Sequence, residues 1–336
     1  MSSSLQDEYI KKESLYGAQN YSPLSVVLEK GEGAYLWDVD GNKYLDMVSA
    51  YSAVSHGHSH PELLKTLHEQ SSKLAVTSRA FYTEPFSTFL EKLSKVSGFE
   101  SILTMNTGAE AVETAIKAAR RWGYFSKGIP EDKAEIIVAN GNFHGRTTTI
   151  VSFSTDASYK DGFGPFTPGF NSAEYCGSCD CQSIDSCLSI ESFEKKINKN
   201  TCAILVEPIQ GEAGIRVPTD GWLKQLRALC TSRNILLILD EIQSGLGRTG
   251  KLFAYEHENI KPDGLILGKA LGGALLPISA FLSSNEIMNH FNPGSHGSTF
   301  GGNPLASKIA LKAIDLLFEE KLIAVSYTHL TLPTIS

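Results

Sequence analysis

Short runs of apolar residues, bounded by turn-forming residues, recur along the chain and alternate with stretches of helical periodicity. The runs are four or five residues long and rich in branched side chains, which is typical of strands buried on both faces. They occupy residues 102–105, 136–139, 202–206, 235–239, 264–267 and 278–282. This alternation predicts an α/β fold with a mostly parallel central sheet wrapped by helices.

The clearest helical pattern follows the first of these runs. Val112, Ala115, Ile116, Ala119 and Trp122 recur at the spacing of one helix face, and charged residues occupy the opposite face. A second long helix is predicted over 305–324, after which residues 326–336 lose the helical period. Residues 35–44 predict a separate hairpin, because Asp40-Gly41-Asn42 is a turn sequence between two strand-like segments.

Composition and charge argue against several kinds of partner and location. The 336 residues carry a formal net charge of -7 and no basic stripe, which argues against nucleic acid or an anionic membrane surface as the main partner. No apolar stretch approaches the roughly 20 residues that a membrane-spanning helix needs. The first residues have no apolar segment for secretion, and Asp7 and Glu8 are not typical of a mitochondrial transit peptide. We therefore expect a soluble cytoplasmic protein.

Lys269 is the residue that most strongly indicates chemistry, because it follows directly on a buried apolar run. Desolvation lowers the pKa of a lysine and frees its amine to form an imine with a carbonyl cofactor, for which pyridoxal phosphate is the leading candidate. Asp240 ends a neighbouring strand, at the edge where ligands of α/β sheets gather. Held against a pyridine nitrogen, it would keep the ring protonated. A surface lysine and a helix-capping aspartate are the simpler alternatives.

Three further segments follow predicted strands. Gly108 and Ala109 begin a helix and could present backbone N–H groups to a phosphate, although many helices begin this way only for capping. Phe143 could stack on a flat ring and Arg146 could hold a carboxylate, or they could be a packed aromatic and a surface arginine. Glu207 and Glu212 could orient a substrate, or they could be solvated loop charges.

Two segments suggest a metal site. Cys176, Cys179, Cys181 and Cys187 could supply four thiolates, but the usual structural zinc site has two well-separated pairs, so we expect a reduced loop. His56, His58 and His60 alternate, yet Gly57 and Pro61 favour a loop there as well. The sequence therefore predicts no metal.

These segments together resemble the class III, subgroup II aminotransferases, and within that class most closely the ornithine aminotransferases. The resemblance extends from about residue 16 to 325. Its motifs are Asn106-Thr107-Gly108-Ala109-Glu110-Ala111, the segment 240–250, Gly268-Lys269-Ala270-Leu271 and the segment 296–304. It implies the fold type I architecture. The implied divisions are an N-terminal segment with part of the small domain (1–50), a large pyridoxal phosphate domain (51–318) and a stub of the small domain (319–336).

The resemblance also implies roles. Lys269 and Asp240 would act on pyridoxal phosphate as proposed above, Gly108 and Ala109 would bind its phosphate, and Phe143 would stack on its ring. Gln243 would contact its phenolic oxygen, and Thr299 would reach the cofactor of a second subunit, which implies a homodimer. L-Ornithine and 2-oxoglutarate would be the substrates. The residues implied to line the substrate pocket are Tyr21, Tyr51, Arg146, Glu207 and Glu212.

The chain also departs from the family. The small domain is incomplete, so we expect a C-terminal truncation near residue 325 and an unrelated tail at 326–336. The arginine that pairs with the residue matched by Glu212 is absent, and His144 stands where another residue is usual. Two alternatives remain open: an aminotransferase for acetylornithine or 4-aminobutyrate, and a chain that binds the cofactor without turnover.

Overall fold

A computed structural model of the protein describes residues 5–177 and 187–330. Near the start of the chain, β1 (Leu28–Glu32), β2 (Tyr35–Asp38) and β3 (Lys43–Leu45) form a small antiparallel sheet. The predicted hairpin is confirmed, since β2 pairs with β3 around the expected turn. The Asp38 carboxylate closes this turn by accepting hydrogen bonds from the Asn42 N–H at 2.8 Å and the Tyr44 hydroxyl at 2.7 Å. The sequence did not predict β1.

The central sheet contains seven strands in the described part of the chain. They are β4 (Ser101–Met105), β5 (Glu135–Ala139), β6 (Phe170–Ala173), β7 (Thr201–Val206), β8 (Leu236–Asp240), β9 (Gly264–Leu267) and β10 (Ser279–Ser283). Their order is β4-β10-β9-β8-β7-β5-β6, and β10 alone runs against its neighbours. The predicted mostly parallel sheet and all six predicted strands are confirmed. The sequence missed β6, because Asn171 and Ser172 interrupt its apolar pattern.

Helices surround this sheet. They are α1 (Leu5–Tyr16), α2 (Ser49–Ser52), α3 (Pro61–Ser71), α4 (Glu84–Ser97), α5 (Gly108–Phe125), α6 (Thr148–Ser152), α7 (Ser189–Lys196), α8 (Trp222–Ser232), α9 (Asn285–Met288), α10 (Pro304–Glu319) and α11 (Leu322–Leu330). α2 is a left-handed turn, since its four residues have φ between 43° and 76°. None of the helices in the described ranges is long and apolar enough to cross a bilayer.

The core lies on both faces of the central sheet, because successive side chains of a strand point to opposite sides. Ile137 and Ile204 pack in one apolar cluster with residues of α4, α8 and α10. Ile136 and Ala203, their neighbours along the same strands, pack in a second cluster with α5. The predicted apolar face of α5 is confirmed. Strands buried on both faces bring their ends to a common edge, and that edge carries the candidate site.

The prediction of a single helix over 305–324 is wrong. The structure has α10 and α11, separated at Glu320 and Lys321, and Lys321 has a left-handed φ of 54°. The charged residues at the end of α10 cannot continue its buried face, so the chain turns there. The prediction that helical structure ends after residue 325 is also wrong, because α11 continues to Leu330. Residues 331–336 lie outside the described residues. The domain boundaries at 50 and 318 stay predictions.

Candidate active site

Three strands place charged side chains at one edge of the sheet. Asp240 is the last residue of β8, Glu207 follows β7, and Lys269 lies two residues beyond β9. These strands are parallel neighbours, so their carboxyl ends meet. Here lies a cavity of about 200 Å³. Eight of the predicted site residues line it: Gly108, Ala109, Phe143, Glu207, Glu212, Asp240, Gln243 and Lys269.

Lys269 has an unusual backbone and an unusual charge environment. Its φ is 44°, in the left-handed region that a residue with a side chain adopts only when the surrounding structure holds it there. Burial lowers the pKa of Lys269, although the charges of Glu212, Asp240 and Glu207 oppose that change. The amine is therefore neutral more often than that of a surface lysine, as a nucleophile requires.

Asp240 faces the cavity as one half of a buried pair. Its Oδ2 accepts a hydrogen bond from Nδ1 of His144 at 2.6 Å, and its Oδ1 accepts one from the Ile242 N–H at 3.0 Å. Burial opposes a charge on His144, but the hydrogen bond and charge of Asp240 outweigh burial and raise the His144 pKa. The pair therefore keeps a negative carboxylate inside the protein with a compensating imidazolium.

His144 is the site residue whose role the sequence did not predict. It lines the same cavity, its side chain is 0% exposed, and in the described part of the chain its Nε2 has no hydrogen-bond partner. The only signal in the sequence was its place directly after Phe143, since a loop that carries one cavity residue often carries the next.

Glu207 fixes the loop that carries Phe143. Its Oε2 accepts a hydrogen bond from the Phe143 N–H at 3.0 Å, while Tyr175 donates to the Glu207 carbonyl oxygen at 3.2 Å. Burial raises the pKa of Glu207 to about 7. Glu207, which was predicted to orient a substrate, thus holds the main chain of the loop at Phe143.

The start of α5 is built for close approach to an anion. Thr107 caps the helix, and Glu110 completes a reciprocal capping box. A Cβ on Gly108 would lie 2.8 Å from Cδ1 of Ile242, and a Cβ on Gly145, which has φ +121°, would lie 2.8 Å from Cβ of Ala109. The positive φ of Gly145 and its contact with Ala109 require glycine there, whereas at Gly108 the Ile242 side chain would have to move. The start of α5 borders the cavity at Gly108 and Ala109.

Gln243 and Glu212 also line the cavity. Gln243 Nε2 donates to Glu212 Oε1 at 2.9 Å, so the glutamate expected to lack its partner is held by an amide. A Cβ on Gly211 would overlap the Gln243 side chain, so a larger residue there would displace the Gln243 amide. The wall therefore offers a carboxylate and an amide whose positions depend on each other.

Four predicted site residues lie outside this cavity. Tyr21 and Tyr51 are 71% and 62% exposed, and Thr299 is exposed. The Arg146 guanidinium lies 4.7 Å from the centre of the Tyr159 ring, on the periphery of the site. The roles assigned to these four residues stay predictions.

The three histidines of the candidate metal segment at 56–60 contact different partners. His56 contacts the Ala313 carbonyl oxygen, His58 the Asp46 carboxylate and His60 the Glu320 carboxylate. Across residues 5–177 and 187–330, no group of three potential ligands is close enough to hold a metal. Cys176 and Cys187 are buried, whereas Cys179 and Cys181 lie outside the described residues.

The arrangement fits pyridoxal phosphate. The glycine-lined helix start suits the phosphate, Phe143 offers an aromatic face, and Asp240 and Lys269 supply a carboxylate and an amine of lowered pKa in the same cavity. The geometric condition for such a site is therefore met, because all of these groups border one space.

The chain is similar to known proteins over nearly its whole length. The family Aminotransferase class-III matches residues 16–328. Ornithine aminotransferase from Brevibacillus brevis is 53% identical over 314 residues, 94% of this chain and 76% of that protein. Ornithine aminotransferase from Halalkalibacterium halodurans is 52% identical over 320 residues, 95% and 77% of the two chains.

Solved structures agree with these sequence relatives. The ornithine aminotransferase of Toxoplasma gondii ME49 superimposes with a TM-score of 0.90 at 42% identity, covering 96% of this chain and 74% of that one. An acetylornithine aminotransferase from Elizabethkingia anophelis gives 0.82 at 46% identity, with 96% and 75% covered. The fold type I architecture expected from the sequence is confirmed.

Proposed function

We propose that this chain, which belongs to the class-III aminotransferases, moves the δ-amino group of L-ornithine to 2-oxoglutarate with pyridoxal phosphate as cofactor. The products are glutamate 5-semialdehyde and glutamate. The observation that carries the proposal is the meeting of Lys269 and Asp240 in one cavity, in a chain that is 52–53% identical to ornithine aminotransferases over nearly its whole length.

Class III aminotransferases use pyridoxal phosphate, which when bound supplies an aldehyde that exchanges amino groups and a ring that accepts electrons. The start of α5 at Gly108 and Ala109 would hold the phosphate, and Phe143 would cover the ring. Asp240 would hold the proton at the pyridine nitrogen, and His144 keeps that carboxylate oriented at 2.6 Å. Gln243 would donate to the phenolic oxygen.

Lys269 performs two tasks in this proposal. Its amine would hold the cofactor by condensing with the aldehyde carbon, with loss of water, and once ornithine has taken its place the freed amine would carry a proton from the δ-carbon of ornithine to the cofactor carbon. Both tasks need an unprotonated nitrogen near neutral pH. The burial that lowers the pKa of Lys269 provides this condition.

Substrate orientation decides which amine reacts. Tyr21 and Arg146 would hold the α-amino and α-carboxylate groups of ornithine, which leaves the δ-amine at the cofactor. Tyr51 and Glu212 would line the same channel, and Glu207 supports it through the main chain of Phe143. The observed exposure of Tyr21 and Tyr51 suits residues at an entrance.

A homodimer and a cytoplasmic location complete the proposal. Thr299, which is exposed, would reach the phosphate of a neighbouring subunit. The net charge of -7 and the absence of a basic stripe support small-molecule substrates over nucleic acid.

Acetylornithine and 4-aminobutyrate are less favoured amino donors. The bacterial relatives that match this chain at 52–53% identity are ornithine aminotransferases. Tyr21 discriminates between the donors, because a free α-amine needs a polar partner and an acetylated one does not. A Tyr21→Phe variant that keeps its ornithine preference would favour the alternative.

One assay tests the proposal. Purified protein is given pyridoxal phosphate, 2-oxoglutarate and, separately, ornithine, acetylornithine or 4-aminobutyrate, and glutamate formation is followed. Ornithine is expected to give the highest kcat/KM by about 10- to 100-fold, the worth of one hydrogen bond to its charged α-amine. A preference for either other donor would contradict the assignment, and a cofactor absorbance change without any glutamate would indicate a chain that binds without turnover.

A further inference from the structure

The left-handed turn α2 lies on the wall of a groove beside the active-site cavity. All four of its residues have φ between 43° and 76°, a region that residues with a side chain normally visit one at a time. Ser52, the last of them, lines a groove of about 850 Å³, and Gln243 lines both this groove and the cavity around Lys269. A run of four such residues persists only when other contacts hold it.

A hydrogen-bonded pair joins the two ends of the loop that carries this turn. Nε2 of His58 lies 2.7 Å from Oδ2 of Asp46, and the Asp46 side chain is 9% exposed. Oδ1 of Asp46 accepts hydrogen bonds from the Val48 and Ser49 N–H groups at 3.0 and 2.8 Å. Burial opposes a charge on Asp46, but these hydrogen bonds outweigh burial and hold the pKa of that carboxyl below its usual value. The carboxylate therefore connects His58 to the first residues of the turn.

His58 is the fixed end of this connection. Its N–H donates to the Gly33 carbonyl oxygen at 2.8 Å, and its carbonyl oxygen accepts from the Gly33 N–H at 3.0 Å. A Cβ on Gly31 would lie 2.8 Å from Cγ of His58, so the imidazole packs directly on the main chain of β1. The pair with Asp46 thus fastens the turn to the small antiparallel sheet.

Ser55 connects the other end of the turn to the loop that follows β8. Its hydroxyl donates to the Ser52 carbonyl oxygen at 3.0 Å and accepts a hydrogen bond from the Arg248 guanidinium at 2.7 Å. Arg248 belongs to the same loop as Gln243, whose amide donates to Glu212 at the cavity. The turn is therefore hydrogen-bonded to the segment that supplies part of the cavity wall.

Tyr51 lies within this turn and is 62% exposed. A loop that becomes ordered only when a substrate binds loses conformational freedom at that moment, and the loss weakens binding. A loop that is already held avoids most of this cost. The two connections through His58 and Ser55 hold the main chain of Tyr51 before any substrate arrives.

We propose that His58 and Ser55 are positioning residues, which hold the left-handed turn so that Tyr51 meets the amino donor without further ordering of the loop. This inference rests on the proposed function and concerns how its first substrate is bound. His58 and Ser55 lie outside the lining of the cavity. They should therefore govern the affinity for ornithine and leave the chemistry at Lys269 unchanged.

The test makes two measurements on His58→Ala and on the unaltered protein. Hydrogen exchange of the cofactor-free proteins should be faster in residues 47–57 of the variant, because the turn opens more often once its connection to the small sheet is lost. In steady-state assays with saturating 2-oxoglutarate, the KM for ornithine should rise about 3- to 10-fold, the worth of ordering one side chain on binding. The kcat and the absorbance of the bound cofactor should stay within about 2-fold, as expected when only binding is weakened.

Three variants separate positioning from a general loss of structure. His58→Gln keeps an N–H donor toward Asp46 and should restore both measurements, whereas Ser55→Ala should raise the KM as His58→Ala does. His60→Ala is the matched control, since it removes a similar contact, 3.1 Å from the Glu320 carboxylate, outside the loop. It should change neither measurement.

A double variant tests whether the effect passes through Tyr51. In a Tyr51→Ala background, His58→Ala should raise the KM for ornithine by less than about 2-fold, because coupled residues are not additive. A full effect in that background, an unchanged KM in His58→Ala, an equal effect of His60→Ala or a fall in kcat of the same size would overturn the proposal. Ser55→Ala carries the test if His58→Ala does not fold.

The exchange measurement keeps this proposal separate from the proposed function. Failure of the unaltered protein to turn over ornithine would contradict the proposed function. Exchange in residues 47–57 that is the same in His58→Ala and in the unaltered protein would overturn the positioning role, whatever the assays show.

Discussion

Replacing His144 by alanine should destabilise the cofactor-free protein strongly and in a pH-dependent way. The pair it forms with Asp240 has side chains 0% and 4% exposed and a 2.6 Å contact. Removing one partner of a buried ion pair costs roughly 3–5 kcal/mol, mostly because the other charge is left uncompensated. Asp240 keeps its hydrogen bond from the Ile242 N–H, so we expect a loss of about 3 kcal/mol, the lower end of that range.

The pH dependence follows from the direction of the pKa change. The folded state raises the pKa of His144 above its ordinary value of 6.5, so its contribution is fully present below that value and is lost as pH rises through the raised pKa. Urea denaturation of the cofactor-free protein and of His144→Ala, at about pH 6 and about pH 9, measures this contribution from the shift in midpoint. The difference between the two proteins should shrink at the higher pH.

A matched control is His56→Ala. Burial lowers the pKa of His56, so its contribution to stability is present at high pH and is lost as pH falls through the lowered pKa. The difference in stability between the unaltered protein and His56→Ala should therefore grow, not shrink, at the higher pH. His144→Asn, which keeps an N–H donor toward Asp240, should recover about 1–2 kcal/mol. A loss below about 1 kcal/mol at both pH values, or one of equal size at both, would refute the charged-pair interpretation.

Three other variants probe the rest of the site. Lys269→Ala should abolish the visible absorbance of the lysine-bound cofactor and lower turnover by at least about 10²–10⁴-fold; a variant that still cycles would exclude the assigned role. Burial raises the pKa of Glu207 from 4.5 to about 7, so its contribution to stability is present below pH 4.5 and is lost as pH rises through about 7. Glu207→Gln keeps an acceptor for the Phe143 N–H and should remove that decline in denaturation curves recorded between about pH 5 and 8; an unchanged slope would contradict this. A methyl group on Gly211 would overlap Gln243, so Gly211→Ala should weaken pyridoxal phosphate binding about 10-fold in a fluorescence titration, the worth of one hydrogen bond; unaltered affinity would show that Gln243 has room to move.

The strands of the central sheet could be predicted well, because buried strands appear in the sequence as short apolar runs. Six strands appear as apolar runs, and parallel strands place their ends at one edge, so the meeting of Asp240 and Lys269 could be anticipated without coordinates. β6 has no apolar run, because a strand at the edge of a sheet tolerates polar residues such as Asn171 and Ser172. The break between α10 and α11 at Lys321 was not predicted either, since helical periodicity alone does not show where a chain turns.

Side-chain partners were much harder to predict than positions in the fold. His144 and Asp240 are far apart in the sequence, and their 2.6 Å contact depends on the course of the loop after β5. The hydrogen bond between Gln243 and Glu212 depends in the same way on two loops that pass each other. Periodicity reports whether a residue is buried, and it carries no information about which polar group lies opposite.

The position of β10 beside β4 in the sheet has a consequence for how the protein is made. β4 lies at the edge of the sheet, and its hydrogen-bonded neighbour is β10. On the ribosome, β4 therefore waits until Ser283 has emerged, an interval on the order of ten seconds or more at common elongation rates. During that time its apolar residues and the start of α5 have no neighbouring strand, so chaperone capture of nascent chains should concentrate on this interval of synthesis.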